Sequence, residues 1–228
     1  MPVNDLPIVC ALGDSAVLVE FGDKIDPLIN QQVYSLDAWL KADTLAGVLE
    51  FIPAYTSLVI QYDPSRLNFS EVLAWLNQKI RSCPKENNSS QKLIEVPVVY
   101  GGKTGVDLSA VAAAHQLSDE EAIQIHSQNE YTVAMMGFTP GFAYLSGMDP
   151  RLSTPRLSSP RTQVPAGSVG IAGVQTGIYS IESPGGWQLI GRTALTLFDP
   201  LNQEPFLFSP GDKVRFIPIS PAEAETDA

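Results

Sequence analysis

Two short apolar runs flank Gly13-Asp14 in IVCALGDSAVLVEFG (residues 8–22), a pattern that predicts two strands joined by a tight turn. Asp26-Pro27 then offers a side-chain cap and a proline at the first helical position. Ile29, Val33, Leu36 and Leu40 follow at helical spacing and give that helix one apolar face. VLEFIPAYTSLVIQYD (48–63) predicts two more strands, broken near Pro53. Asn68, with Glu71 three residues on, caps a second helix striped by Phe69, Leu73, Leu76 and Ile80. The order is ββαββα, which implies two helices packed on one face of a four-stranded sheet.

The pattern changes after residue 84. KENNSSQK (85–92) has no apolar residue and predicts a linker between an α/β domain of residues 1–84 and a second domain of residues 93–220. The second domain opens with a strand, LIEVPVVY, and a turn at Gly101-Gly102, followed by one or two helices. Ser118 and Glu121 form an S-x-x-E capping box for a helix that ends near His126-Ser127. From 131 to 219 no helical period recurs. Short runs such as VGIAGV, GIYSIES, WQLIGRT, ALTLFD and KVRFIPI alternate with Gly, Pro and Ser, which predicts an all-β barrel or sandwich. Glycine usage shifts in step, with three before residue 100 and fourteen after it. The acidic tail PAEAETDA (221–228) is expected to be disordered.

Composition narrows the function. With 44% apolar and 17% charged residues, the 228-residue chain reads as globular. A net charge of −11 argues against nucleic acid and anionic membranes as partners, because both reward clustered cations. No apolar run approaches the roughly 20 residues that span a bilayer. MPVNDLPIV lacks the basic-then-apolar pattern of a secretory signal, and Cys10 and Cys83 make no metal or disulfide spacing. The expectation is a cytoplasmic protein with reduced thiols.

Charge placement singles out one segment. Between residues 137 and 192 the only acids are Asp149 and Glu182, against Arg151, Arg156, Arg161 and Arg192. Arginine suits planar, bidentate recognition of carboxylate or phosphate, and equally well pins loops by bonding carbonyls. Arg161 and Arg192 are the first candidates for anion binding. PAGSVGIAGVQTG and SPGGWQLIGRT have neither the G-K-[ST] of a P-loop nor a strand-to-helix switch. They supply either turns of a curved barrel or backbone that approaches a ligand, with Gln175, Thr176 and Thr193 as polar contacts. His126 sits at a helix C-terminus, a favourable place for the imidazole and also a candidate for proton transfer. His115, in an alanine-rich helix, is incidental. MGFTPGFAYLSG (136–147) is uncharged and rich in aromatics and glycine, and by composition is either a buried turn or the wall of a site. No hydrolase, kinase or zinc motif is present in the sequence, which points to a shared active site or a binding role.

HSQNEYTVAMMGFTPGFAYLSGMDPRL, PRLSSPRTQVPAGSVGIAGVQTGIYS, SPGGWQLIGRT and SPGDKVRFIPI, in that order, resemble the signature of the family formed by the B subunit of 5-oxoprolinase. GDSAVLVEFG and the stretch from Pro53 fit as well, so the resemblance covers essentially the whole chain. That family includes KipI, an inhibitor of a histidine kinase, and is similar to part of the carboxyltransferase region of urea carboxylases. The resemblance implies an α+β chain, with the ββαββα domain followed by a cyclophilin-like β-barrel. It implies work with subunits A and C in the ATP-dependent opening of 5-oxoproline to glutamate, with an ATP site shared with a partner subunit, and it leaves any metal beyond the magnesium of Mg-ATP undefined. The family pattern maps onto His126, Arg161 and Arg192 as catalytic candidates. It maps onto Phe138, Phe142, Tyr144, Arg156, Gln175, Thr176, Tyr179, Trp187 and Thr193 as substrate-binding candidates. The place of MGFTPGFAYLSG in the family signature implies a loop lining the barrel mouth, with Phe138 and Phe142 as wall and Tyr144 as a hydroxyl. Ala143 and Ser180 stand where the family usually has proline, both expected on loops. The alternatives are a KipI-like inhibitor that binds a sensor histidine kinase and, less favoured, a carboxyl-transfer component.

Overall fold

A computed structural model describes residues 6–84 and 92–224. The chain divides into two compact units, Met1–Ser90 and Gln91–Ala228. All but the last residue of the expected 85–92 linker lies outside the described residues.

The first unit follows from local signals. β1 (Ile8–Leu12) and β2 (Ala16–Glu20) form the hairpin around Gly13-Asp14. α1 (Pro27–Ala42) starts where the Asp26 carboxylate accepts the N–H of Leu28 at 2.7 Å. β3 (Val48–Pro53) and β4 (Ser57–Tyr62) follow, and α2 (Phe69–Ser82) opens on the reciprocal Asn68–Glu71 box, with bonds of 2.9 and 3.1 Å. The sheet is antiparallel in the order β1-β2-β4-β3. Val33, Leu36 and Leu40 of α1 and Val72 and Leu76 of α2 join Val17, Val19, Leu58 and Ile60 in one core. Each such side chain contributes about 1.5–3 kcal/mol by leaving water.

The second unit is a closed barrel. β5 (Leu93–Tyr100) leads into α3 (Leu108–Ala114) and α4 (Asp119–Ser127), the latter on the Ser118–Glu121 box. Then come β6 (Glu130–Met136), β7 (Ala143–Ser146), β8 (Arg161–Val164), β9 (Ser168–Ala172) and β10 (Gln175–Ile178). β11 (Ser183–Gly185), β12 (Gln188–Arg192) and β13 (Lys213–Pro218) complete the strands. The barrel closes as β10-β7-β6-β13-β5-β12-β9, while β8 and β11 pair separately. Closure removes the unpaired edges that an open sheet exposes. Val96, Val98, Tyr131, Leu145, Ile171, Val214 and Phe216 form its core with Leu108 and Val111 of α3 and Ala122 and Ile125 of α4, and α3 packs on β12 and α4 on β13.

Two expectations change. Residues 221–224 of the expected disordered tail form a helical turn, α5 (Pro221–Ala224), because Ser220 and Glu223 repeat the S-x-x-E cap, with Ser220 N–H on the Glu223 carboxylate at 2.7 Å. Residues 225–228 lie outside the described residues. Ala143 is not on a loop. It is buried at the start of β7, paired with Met136 and Ile178, and the Met136 pairing continues the β6 ladder.

Candidate functional site

The uncharged run 136–147 holds the end of β6, the turn at 137–142 and the whole of β7. Gly137 N–H donates to Phe142 O, and Phe142 N–H donates to Thr139 O, both at 3.1 Å. Phe138 inside this turn has φ +70° and is 61% exposed, a conformation that a bulky side chain adopts only when its surroundings enforce it. Phe142 is buried and stands at the centre of a ring cluster. Tyr144, Tyr179, Trp187 and Phe138 surround it at centroid distances of 4.7, 5.1, 5.5 and 5.6 Å. These five rings and Arg156 line a cleft of about 230 Å³ closed by prolines and glycines. Gly185 is required here, since a Cβ at that position would collide with the Tyr179 ring.

The arginines at this cleft behave differently. Arg156 lies 5.9 Å from the centre of the Trp187 ring, and no carboxylate among the described residues pairs with it. Burial pushes the Tyr144 and Tyr179 phenols up, opposed at Tyr179 by a bond with the Trp187 backbone and at both by the Arg156 charge, so both stay neutral near pH 7. Arg161 is committed elsewhere. Its Nη2 reaches both Asp107 oxygens, at 2.7 and 2.9 Å, and its Nη1 donates to Trp187 O at 3.3 Å. Asp107 also accepts Leu189 N–H at 2.6 Å. The clamp therefore ties down the backbone at Trp187, which lines the cleft, and at Leu189 beside it, and Arg161 makes protein contacts where an anion fork was expected. Nothing in the sequence sets Asp107 apart, because it stands where a helix cap ahead of α3 would, yet it makes no side-chain cap bond.

A second cleft of about 400 Å³ holds Arg192 and Thr193, with Thr104, Gly167, Ser180 and Thr196 in its lining. Arg192 Nε donates to Ala166 O at 2.8 Å. Tyr179 lines the first cleft and Ser180 the second, so two consecutive residues after β10 form a shared wall.

His126, expected as a proton-transfer group, is brought to neither cleft. It is fully buried in the barrel, 4.5 Å from the Phe216 ring centre. Thr176 donates its hydroxyl to Gly170 O at 3.0 Å, so its oxygen must accept from His126 Nε2–H at 2.9 Å. That leaves Nδ1 to accept from the Tyr100 hydroxyl at 2.8 Å. Burial pushes the imidazole pKa down to about 3, and the neutral ring with both nitrogens bonded acts as an internal strut. Thr176 is buried with it, and Gln175 starts β10 away from both cleft linings. Among the described residues no group of His, Cys, Asp or Glu could hold a metal ion, and no helix is long and apolar enough to cross a membrane.

Comparison with known proteins agrees with this architecture. Residues 7–208 match the carboxyltransferase domain family, subdomain C and D. The 5-oxoprolinase B subunit of Bacillus subtilis (strain 168) is 44% identical over 219 residues, covering 92% of this chain and 91% of that protein. The crystal structure of TTHA0988 has a TM-score of 0.81 at 38% identity, covering 91% of this chain and 40% of that one. The Kluyveromyces lactis urea carboxylase shares the fold, with a TM-score of 0.79 at 23% identity over 98% of this chain and 23% of that one. With its ββαββα unit, its closed barrel and this likeness along nearly its full length, the chain belongs to the family of the 5-oxoprolinase B subunit.

Proposed function

We propose that this chain is the B subunit of an ATP-dependent 5-oxoprolinase, acting with subunits A and C to open 5-oxoproline to glutamate as ATP is hydrolysed to ADP and phosphate. The observation that carries the reading is the aromatic cleft with a guanidinium that has no carboxylate partner at its lip. 5-Oxoproline is a small flat ring bearing one carboxylate. Its ring fits against Trp187, Phe142 and Tyr144, and its carboxylate meets Arg156. The neutral Tyr144 hydroxyl can donate to the lactam oxygen. A lactam is a poor electrophile, and phosphorylating its oxygen creates a leaving group, which is what ATP contributes. The first cleft has room for the ring and not for a nucleotide beside it, so the ATP site is one that a partner subunit completes. Arg161 is a positioning residue and His126 a structural one. No feature of the described residues favours the kinase-inhibitor alternative.

The test is oxoproline-dependent ATP hydrolysis by the chain purified with subunits A and C. Arg156→Gln is expected to raise KM for 5-oxoproline at least tenfold and leave KM for ATP unchanged. A three-subunit preparation that hydrolyses no ATP in response to 5-oxoproline overturns the assignment.

A further inference from the structure

The second cleft is built from donors. Arg192 spends Nε on Ala166 O, which fixes the guanidinium plane, while its two terminal nitrogens have no partner among the described residues. Thr193 is 4% exposed, and its oxygen accepts Leu195 N–H at 3.2 Å. The Thr193 hydroxyl proton has no acceptor among the described residues, an uncommon state for a group so deeply buried. Thr196 adds another hydroxyl, and no carboxylate side chain lines the cavity although the whole chain carries a charge of −11. The backbone is shaped to match. Gly167 has φ +80° with the Arg192 stem against it, and a Cβ there would collide with Thr193 O. Donors without acceptors, one full positive charge and a floor that only glycine permits describe a receptor for an acceptor-only ligand.

We infer that the Arg192–Thr193 cleft binds a tetrahedral phosphate oxyanion. Arg192 makes the paired contact and Thr193 supplies the buried hydroxyl. The inference needs no assumption about the ring bound in the aromatic cleft, and a failure of the ATPase assay leaves it standing. The oxyanion comes either as free phosphate or as the phosphate end of a nucleotide, and one experiment separates the two. The full chain, labelled with ¹⁵N, is titrated at constant ionic strength with inorganic phosphate and, separately, with ADP. Saturable shifts confined to the amides of Gly167, Thr193 and Thr196 are expected in at least one arm. Equal affinities identify free phosphate as the ligand, and tighter ADP binding identifies a nucleotide. Arg192→Gln is expected to weaken binding at least tenfold, Arg192→Lys less because it keeps the charge and loses the fork, and Thr193→Val about threefold. Arg151→Gln, an exposed arginine outside both clefts, changes nothing. Shifts that fail to saturate, or that persist unchanged in Arg192→Gln and Thr193→Val, overturn the inference.

Discussion

Inside the barrel and beside the two clefts, polar side chains follow opposite rules. Tyr100, His126 and Thr176 satisfy one another and the Gly170 carbonyl in a chain of bonds between 2.8 and 3.0 Å. Beside the clefts, Arg156 and the terminal nitrogens of Arg192 have no acidic partner, and Arg161 between them in sequence is paired with Asp107. The comparison shows why residue type alone misassigns roles here. A polar group whose bonds are all used within the protein shapes the structure, whereas one with unused capacity beside a cavity is available to a ligand.

The sharpest way to break this division is His126→Ala. It removes a packed ring and leaves the Tyr100 hydroxyl without its acceptor and Thr176 without its donor, so urea denaturation should show a loss of about 3–5 kcal/mol. A catalytic histidine at a wet surface would instead cost activity and little stability. Acid tests the same group without mutation. Its folded value is depressed to about 3 while the unfolded chain takes up the proton near 6.5. The contribution is therefore whole above pH 6.5 and is lost progressively as pH falls towards 3, amounting to about 2 kcal/mol by pH 5. Urea midpoints at pH 7.5 and 5.0 check this, and the His126 ring resonances should hold their neutral positions between those values. Asp107→Asn comes next. It weakens the clamp on Arg161 and should cost about 1–2 kcal/mol, with a shift in Trp187 fluorescence as the cleft lining loosens. Smallest in stability is Arg156→Ala, expected within about 0.5 kcal/mol of the parent because its charge has no carboxylate partner and loses only a long contact with the Trp187 ring. If Arg156→Ala destabilised the chain as much as Asp107→Asn, the distinction between paired and available arginines would collapse.

The elements legible in the sequence are those with local causes. Asp26, Asn68 and Ser118 announce their helices because a cap acts within three residues, and Gly13-Asp14 announces its hairpin for the same reason. The cap at Ser220 is equally local, but the acidic composition around it suggests disorder. The barrel can be expected as a class but not in its strand order. Its parallel β5–β13 pairing joins residues about 120 positions apart, with Phe216 opposite Val96, and nothing near either strand specifies that partner. The site divides in the same way. The aromatic run 136–147 stands out by composition, and the structure puts its rings around a cleft. The roles of Arg161 and His126 depend on Asp107, Tyr100 and Thr176, which lie 54, 26 and 50 residues away from them.

The wall made by Tyr179 and Ser180 assigns chemistry by position in the chain. The two residues are adjacent in sequence yet line different chambers, a phenol in one and a small hydroxyl in the other. Deleting or inserting a single residue between Ile178 and Ser180 would exchange the two, placing a bulky ring against Arg192 and a gap beneath Phe142. A substitution at either wall residue alters one chamber, whereas a change of one residue in the length of that segment alters both.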